Sequence, residues 1–422
     1  MTWDIFCTVV DNYGDIGVTW RLARQLADEH PLPVRLWVDD LAAFQQIRPE
    51  IDPASDIQHL AGVEVRRWTL PLPEVEPGEV VIEALACNLP DEFIQRMAAR
   101  QPPPVWLNLE YLSAEDWVAG VHGLPSPHPR LPLMKYFFMP GYTRQTGGLT
   151  RERWLTAERD AFQAGGKPVF MPFPPISIRP EIRQTPSFPR MRESSDFYPA
   201  WIPACAGMTD SRMNQAGSIE LQSDALLISL FSYENAALPG LLQAWAYGDR
   251  PVCVLTPIGK ALPQIAAWFG EITDQPGATW QRGALTLQVL PMLDQDAYDR
   301  LLWSCDINFV RGEDSFVRAQ FAARPMLWQA YVQDEDAHLA KLEAFLDLYC
   351  ADLDSDTATL VRKLWRTWNG AADQAEDIIA LWPQWLAALP ALKAHARAWD
   401  EQLAAQPDLA TNLLTFSRKW LK

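Results

Sequence analysis

Residues 3–38 read WDIFCTVVDNYGDIGVTWRLARQLADEHPLPVRLWV, and this stretch decides the fold. The run 3–10 is short, apolar and rich in β-forming residues, which predicts a buried strand. A glycine-bearing turn over 11–17 follows it, and the apolar residues of 18–29 recur at helical spacing. The run 34–38 is again apolar and short. Together they predict a strand–helix–strand unit with parallel strands, because a helical crossover joins them.

The same alternation continues along the chain. Further strand-like runs lie at 80–82, 105–109, 226–231, 252–256, 285–290 and 307–310. Helical patterns in the second half lie at 238–247, 261–269, 296–304 and 315–323. The rhythm stops between 121 and 153, where prolines and a Gly-Gly pair cluster. The sequence therefore predicts an α/β protein with two similar halves.

These patterns divide the chain into segments. We predict one α/β domain over 1–153, a connector over 154–220, a second α/β domain over 221–398, and a C-terminal helix over 399–422 that packs back on the first domain. Within the connector, 185–214 has neither strand alternation nor a helical face and resembles translated repetitive DNA. We interpret it as a disordered insertion without a chemical role, the alternative being an active-site lid.

The last part of the chain is rich in Trp, Leu and Ala, which predicts helices. Three prolines, Pro383, Pro390 and Pro407, are expected to break them.

Composition excludes several classes of protein. With 48% hydrophobic and 21% charged residues in 422, the chain is not intrinsically disordered as a whole. A net charge of −17 disfavours nucleic acid as a partner. No run approaches the ~20 apolar residues of a membrane span, so we expect no membrane association. Six cysteines without a CxxC pair predict reduced thiols in a cytoplasmic protein.

Carboxylates follow strands of the first domain at the edge where ligands of parallel sheets bind. Asp11 and Asp15 flank the glycine turn after the first strand, and Glu110 follows the strand at 105–109. Acids would repel a phosphate, so their expected task is to hold a cation or accept a proton. For Asp15 the alternative is helix N-capping.

The second domain carries a different pattern. Glu313, Asp314 and Ser315 follow the strand at 307–310 and open a helix, where backbone N–H groups favour a diphosphate. Capping is again the alternative, since it uses the same backbone groups. Phe231 and Tyr233, after the strand at 226–231, and Tyr298 could enclose a flat base, although core packing is the default for an aromatic side chain.

Several segments together resemble one family, the bacterial protein-arginine rhamnosyltransferases that modify translation elongation factor P. The longest are DNYGDIGVTWRLAR at 11–24, WLNLEYLSAE at 106–115 and RGEDSFVRAQ at 311–320. The resemblance implies a GT-B glycosyltransferase fold, in which two Rossmann-like domains face each other across a cleft. The first domain would bind the acceptor and the second the nucleotide sugar. It further implies inverting transfer of rhamnose from dTDP-β-L-rhamnose to an arginine side chain of elongation factor P.

The resemblance also implies the site residues. Asp15 would be the catalytic base, with Asp11 and Glu313 as further catalytic carboxylates. The acceptor arginine would lie against Asp11, Asp15 and Glu110. Ten residues would bind the donor: Asn12, Tyr13, Gly14, Phe231, Tyr233, Gln295, Tyr298, Glu313, Asp314 and Ser315. Of these Gln295 lies in a stretch that departs from the family pattern.

The expected cofactor set is empty, since the resemblance implies a metal-independent reaction. Elongation factor P and the nucleotide sugar are the expected partners, and we expect a cytoplasmic monomer. Two alternatives stay open: a GT-B enzyme with another donor or acceptor, and an inactive binding homologue.

Overall fold

The structure is a computed structural model, and it describes residues 1–10, 13–165, 224–270, 275–371 and 377–421. These residues belong to one compact unit that contains two parallel-rich sheets. The expected insertion at 185–214 and the candidate residues Asp11 and Asn12 lie outside the described residues. The α/β class expected from the alternating patterns is confirmed.

The first sheet has eight strands: β1 (Trp3–Cys7), β2 (Val34–Val38), β3 (Ile57–Leu60), β4 (Val63–Arg67), β5 (Val80–Ala84), β6 (Val105–Leu109), β7 (Pro125–Pro127) and β8 (Met134–Phe138). Their spatial order is β3-β4-β2-β1-β5-β6-β8-β7. The inner six strands are parallel, and β3 and β7 add antiparallel edges. Without the edges, the order follows the Rossmann pattern, which reverses direction between β1 and β5.

Five helices belong to this half: α1 (Gly14–Glu29), α2 (Leu41–Ile47), α3 (Asp91–Ala99), α4 (Trp117–Val121) and α5 (Leu155–Ala164). One sheet face packs on α1 through buried side chains such as Trp20 and Leu26, and the other packs on α3 through Phe93 and Met97. Because both faces are covered, the central strands are apolar throughout.

The second sheet has six strands: β9 (Leu226–Leu230), β10 (Val252–Pro257), β11 (Thr279–Arg282), β12 (Leu285–Leu290), β13 (Ile307–Arg311) and β14 (Met326–Gln329). Its order, β11-β12-β10-β9-β13-β14, again reverses direction at the first strand of the domain, between β9 and β13. Four helices accompany it: α6 (Leu238–Tyr247), α7 (Leu262–Phe269), α8 (Gln295–Ser304) and α9 (Asp314–Phe321).

Four helices complete the described chain: α10 (Ala337–Tyr349), α11 (Ser355–Trp368), α12 (Ile378–Ala404) and α13 (Leu409–Trp420). The C-terminal helix that packs on the first domain is α13, and it begins at Leu409 rather than at residue 399. Trp399 and Leu403 still belong to α12 and pack in the second core, whereas Leu413 of α13 packs in the first.

The breaks expected at Pro383 and Pro390 are wrong, because both prolines lie inside the continuous helix α12. An internal proline costs a helix about 3 kcal/mol or more. The apolar face of α12 offsets this cost, since Trp382 and Trp385 are almost fully buried and each large apolar side chain contributes about 1.5–3 kcal/mol on burial. The break expected at Pro407 is confirmed, since this residue lies between α12 and α13.

The turn expected over 11–17 also differs from the structure. Helix α1 begins at Gly14, so Asp15 and Gly17 lie within its first turns. Apolar spacing missed this start because Gly14, Asp15 and Gly17 interrupt the apolar pattern, although an acid in the first turn suits the positive end of a helix. Across the described ranges, no helix has the length and apolarity that crossing a bilayer requires.

Candidate functional site

The two sheets bring the points where their strand orders reverse into one region. In the first domain, the reversal lies between the paired strands β1 and β5, whose carboxyl ends lead to Asp15 and Leu85. In the second, it lies between the paired strands β9 and β13, whose carboxyl ends lead to Phe231 and Arg311. Such crevices are where α/β sheets bind ligands. Two cavities open there.

We call the first the helix-start cavity, because it surrounds the beginning of α9. It has a volume of about 660 Å³. Its lining comes from both domains and includes Tyr13, Gly14, Phe231, Gln295, Tyr298, Arg311, Glu313, Asp314 and Ser315. Eight of the nine described residues in the expected donor set line this cavity: Tyr13, Gly14, Phe231, Gln295, Tyr298, Glu313, Asp314 and Ser315.

We call the second the Asp15 cavity. It has a volume of about 1120 Å³. Asp15, Leu85 and Tyr111 line it from the first domain, and Trp328 and Lys341 from the second. The two cavities share three lining residues, Gly14, Gly312 and Glu313. A ligand in one cavity can therefore meet a ligand in the other at Glu313.

The Asp15 side chain is buried, with 2% of its surface exposed, and both carboxylate oxygens accept hydrogen bonds. The backbone N–H of Val10 donates to Oδ2 at 2.9 Å. The hydroxyl of Tyr111 donates to Oδ1 at 3.1 Å. A carboxylate oriented in this way can bind the N–H groups of a guanidinium.

Glu313 lines both cavities, and the pKa of its carboxyl is unusual. Burial, with repulsion from Asp15 and Asp314, raises the pKa of its carboxyl to about 7. The backbone N–H of Leu112, which donates to Oε2 at 2.9 Å, and the positive charge of Lys341 oppose this rise. The carboxyl therefore changes its protonation near neutral pH, as acid–base groups in active sites do.

Asp314 and Gln295 hold each other at the edge of the helix-start cavity. Nε2 of Gln295 donates to Oδ2 of Asp314 and to the carbonyl of Gly17, each at 3.0 Å. A Cβ added to Gly17 would lie 3.4 Å from that same Asp314 oxygen, so glycine permits this approach of α1 to α9. Arg21 binds the other Asp314 oxygen. The Asp314 carboxylate therefore links the two domains. The helix-start cavity is lined by the first residues of α9.

Oε1 of Gln295 is buried and has no hydrogen-bond partner among the described residues. An unpaired buried acceptor is costly, and a ligand N–H would satisfy it.

Arg311 is the cation of the helix-start cavity, and the sequence analysis gave it no role. Its guanidinium lies 4.5 Å from the ring centre of Phe231 and 4.3 Å from that of Tyr233. Within the described part of the chain, its buried Nε has no partner. An arginine at the end of a strand, just before a glycine and a helix start, was the signal that could have identified it.

Two expected site residues occupy other places. Tyr233 does not line the helix-start cavity, because its ring lies against the guanidinium of Arg311 and its backbone N–H donates to Gln329 at 2.9 Å. Glu110 lies outside both cavities as the described residues define them, and the Asn108 side chain donates to it. The next residue, Tyr111, reaches Asp15 instead, since it comes after the strand and its side chain leaves the sheet in a different direction.

Buried ion pairs hold the two domains together beside the site. Arg21 on α1 donates to Asp314 at 2.7 Å and binds both oxygens of Asp299, at 3.0 and 3.1 Å. Arg318 on α9 binds the same two Asp299 oxygens and also Glu152. Burial alone would raise the pKa of Glu152, but the surrounding guanidinium groups hold it well below its ordinary value. The relative position of α1 and α9 is thereby set by charge pairs.

No group of three or more His, Cys, Asp or Glu side chains in the described ranges is arranged to hold a metal ion. The described cysteines, Cys7, Cys87, Cys253, Cys305 and Cys350, are all buried.

Known proteins are similar to this chain in sequence and in architecture. The model of a family described as elongation factor P (EF-P) rhamnosyltransferase EarP matches residues 3–171 and 202–418. A protein-arginine rhamnosyltransferase of Pseudomonas putida is 49% identical over 375 residues, covering 89% of this chain and 88% of that protein. One of Pseudomonas aeruginosa is 47% identical over 374 residues, covering 89% and 88%.

A solved structure bears on the fold as well. It describes the structural basis for EarP-mediated arginine glycosylation of translation elongation factor EF-P, and it matches 99% of each chain with a TM-score of 0.61 and 36% identity. The expected GT-B arrangement of two Rossmann-like domains is confirmed. With the family match extending through both domains, this chain belongs to the EarP family of elongation factor P rhamnosyltransferases.

Proposed function

We propose that this protein transfers rhamnose from dTDP-β-L-rhamnose to an arginine side chain of elongation factor P and inverts the anomeric carbon. The observation that carries the proposal is the meeting of the two cavities at Glu313. One cavity offers an aromatic ring, a cation and a helix start, which suit a nucleotide diphosphate. The other offers the oriented carboxylate of Asp15, which suits an arginine.

The donor would occupy the helix-start cavity. Phe231 would stack on the base, and the buried Oε1 of Gln295 would accept a ring N–H, a group that thymine possesses and cytosine lacks. Arg311 and the N–H groups at the start of α9 would meet the charge of the diphosphate as it leaves. These groups support a reaction that proceeds without a metal ion.

The acceptor arginine would enter the Asp15 cavity. Its Nη attacks the anomeric carbon from the face opposite the diphosphate, and a C–N bond forms while the bond from that carbon to the diphosphate oxygen breaks. One guanidinium proton passes to Asp15, and dTDP leaves. A single displacement needs one base and no enzyme nucleophile. Because the attack comes from the face opposite the diphosphate, the β-configured donor gives the α-rhamnosyl-arginine. A translation factor as acceptor would place the reaction in the cytoplasm.

Intact-mass spectrometry tests this function. Elongation factor P incubated with the enzyme and dTDP-β-L-rhamnose should gain the mass of one deoxyhexose residue, and peptide mapping should place it on an arginine. Parallel reactions with UDP- and GDP-sugars identify another donor. NMR of the product tests inversion, and addition of EDTA tests the independence from metal. No mass gain with any donor would contradict the proposal.

Removing the ring of Phe231 should weaken donor binding. Base–aromatic stacking contributes roughly 1–3 kcal/mol per base, so Phe231→Ala should lower the affinity for dTDP by that amount in calorimetry. Phe269→Ala is the control, since this ring packs on Trp268 and Trp280 outside the cavity. Equal affinities for dTDP in wild type and Phe231→Ala would remove Phe231 from the site.

Donor binding should also depend on pH through Glu313. Its pKa of about 7 means that the carboxyl is neutral below that pH and negative above it. A bound diphosphate repels the negative form, so affinity should fall as the pH rises through 7. If the diphosphate raises the Glu313 pKa by about one unit, the loss is about tenfold.

Calorimetry of dTDP between mildly acidic and mildly alkaline pH measures this change. Glu313→Gln keeps a neutral side chain throughout and should give an affinity that is nearly constant with pH. The same decline in both proteins would show that another group titrates.

A further inference from the structure

Tyr111 lies where the first domain meets the proposed chemistry. It follows β6, lines the Asp15 cavity, and is half-buried. Its hydroxyl donates to Oδ1 of Asp15 at 3.1 Å and lies 3.2 Å from the carbonyl oxygen of Leu85. Burial and the negative charge of Asp15 raise the pKa of this phenol well above its ordinary value. The hydroxyl therefore stays protonated and keeps its proton available for donation.

Together with Val10, this hydroxyl determines how the Asp15 carboxylate is turned. The Val10 N–H donates to Oδ2 at 2.9 Å, so each carboxylate oxygen receives a donor from a different part of the first domain. A carboxylate held at both oxygens loses its rotational freedom. Proton transfer requires such orientation, because the base must lie within hydrogen-bond reach of the proton it removes.

The Leu85 carbonyl that faces the hydroxyl belongs to a strained corner. Leu85 and Ala86 have φ values of +55° and +61°, in the left-handed region that residues with a Cβ rarely adopt. Leu85 N–H still donates to the Leu109 carbonyl at 2.7 Å. Strain of this kind persists where the surroundings impose it, often at functional sites.

We propose that Tyr111 is a positioning residue for the transfer reaction: its hydroxyl holds Asp15 in the orientation that removes the proton from the acceptor arginine. The inference rests on the proposed function of Asp15. It assigns Tyr111 no contact with either substrate. The residue acts through the carboxylate it binds.

Tyr111→Phe removes one hydroxyl and keeps the ring. A hydrogen bond to a charged group contributes about 1.5–3 kcal/mol, so kcat should fall about 10- to 100-fold. The KM values for donor and acceptor should stay within about twofold of wild type. A purely structural residue would not produce this division between kcat and KM.

The double variant Asp15→Asn with Tyr111→Phe provides the sharpest measurement. If Tyr111 acts through the carboxylate, its removal should cost little once Asp15 is an amide, and the two losses will not multiply. Tyr136→Phe is the matched control, because it deletes a hydroxyl in the same domain from a ring that packs on Phe416 and Trp420. Its kcat should equal that of wild type.

The outcomes separate the inference from the function on which it rests. Failure of the wild-type enzyme to modify elongation factor P would overturn the proposed function. An active wild type with an unchanged kcat in Tyr111→Phe would overturn the positioning role alone. A full loss from Tyr111→Phe in the Asp15→Asn background would also overturn it, since the hydroxyl would then act independently of Asp15.

Discussion

Asp15→Asn should lower the rate of transfer by about 10²–10⁴-fold while the enzyme still binds dTDP. The substitution keeps the shape of the side chain, and an amide oxygen can still accept from the Val10 N–H. It removes the negative charge and the basic oxygen that a leaving proton requires. Asp15 lines the Asp15 cavity and is absent from the lining of the helix-start cavity, so donor affinity should stay close to that of wild type.

Single-turnover rates by mass spectrometry and dTDP affinities by calorimetry measure the two effects separately. Asp39→Asn is the matched control: this acid follows β2, accepts the Val9 N–H at 2.9 Å, and lies outside both cavities as described. Its rate should equal that of wild type. Near-normal turnover in Asp15→Asn with donor bound would mean that another group removes the proton.

The sequence was sufficient for the central strands of the two sheets and for much of the lining of the helix-start cavity. Short apolar runs predicted the parallel strands, because strands covered on both faces are apolar at every position. Strand ends then indicated where ligands bind, and Phe231 and Glu313 lie there in the structure. Helix α6, at Leu238–Tyr247, has the bounds that its pattern predicted.

The direction of individual side chains could not be predicted from the sequence. Glu110 and Tyr111 are neighbours, yet only Tyr111 reaches Asp15, because side-chain direction after a strand depends on the path of the loop. Asp314 lines the helix-start cavity, but that Arg21 and Gln295 hold its carboxylate was not predicted. Both partners come from distant parts of the chain, and no local pattern records such contacts.

The charge pairs between α1 and α9 lead to the largest expected effect on stability. Arg21→Met should lower the free energy of unfolding by about 3–5 kcal/mol, the usual cost of removing one partner from a buried ion pair. The Arg21 side chain is 1% exposed and contacts Asp299 and Asp314 at once. Methionine fills similar space but leaves one Asp314 oxygen without the donor that Arg21 supplied, and it leaves Asp299 paired with Arg318. Denaturant unfolding, read as the shift in midpoint at constant slope, measures this loss.

Arg24→Met distinguishes burial from charge. Arg24 lies on the same helix and pairs with Asp296 of the second domain at 2.9 Å, where its side chain is 15% exposed and that of Asp296 is 42% exposed. It also pairs with the buried Glu152 at 3.2 Å, but Glu152 keeps Arg318 at 2.6 Å. Ion pairs that reach solvent contribute about 0–1 kcal/mol, so Arg24→Met should unfold closer to wild type than Arg21→Met. Equal midpoints for the two variants would contradict the argument, because only Arg21→Met removes a guanidinium from Asp299, whose side chain is 2% exposed.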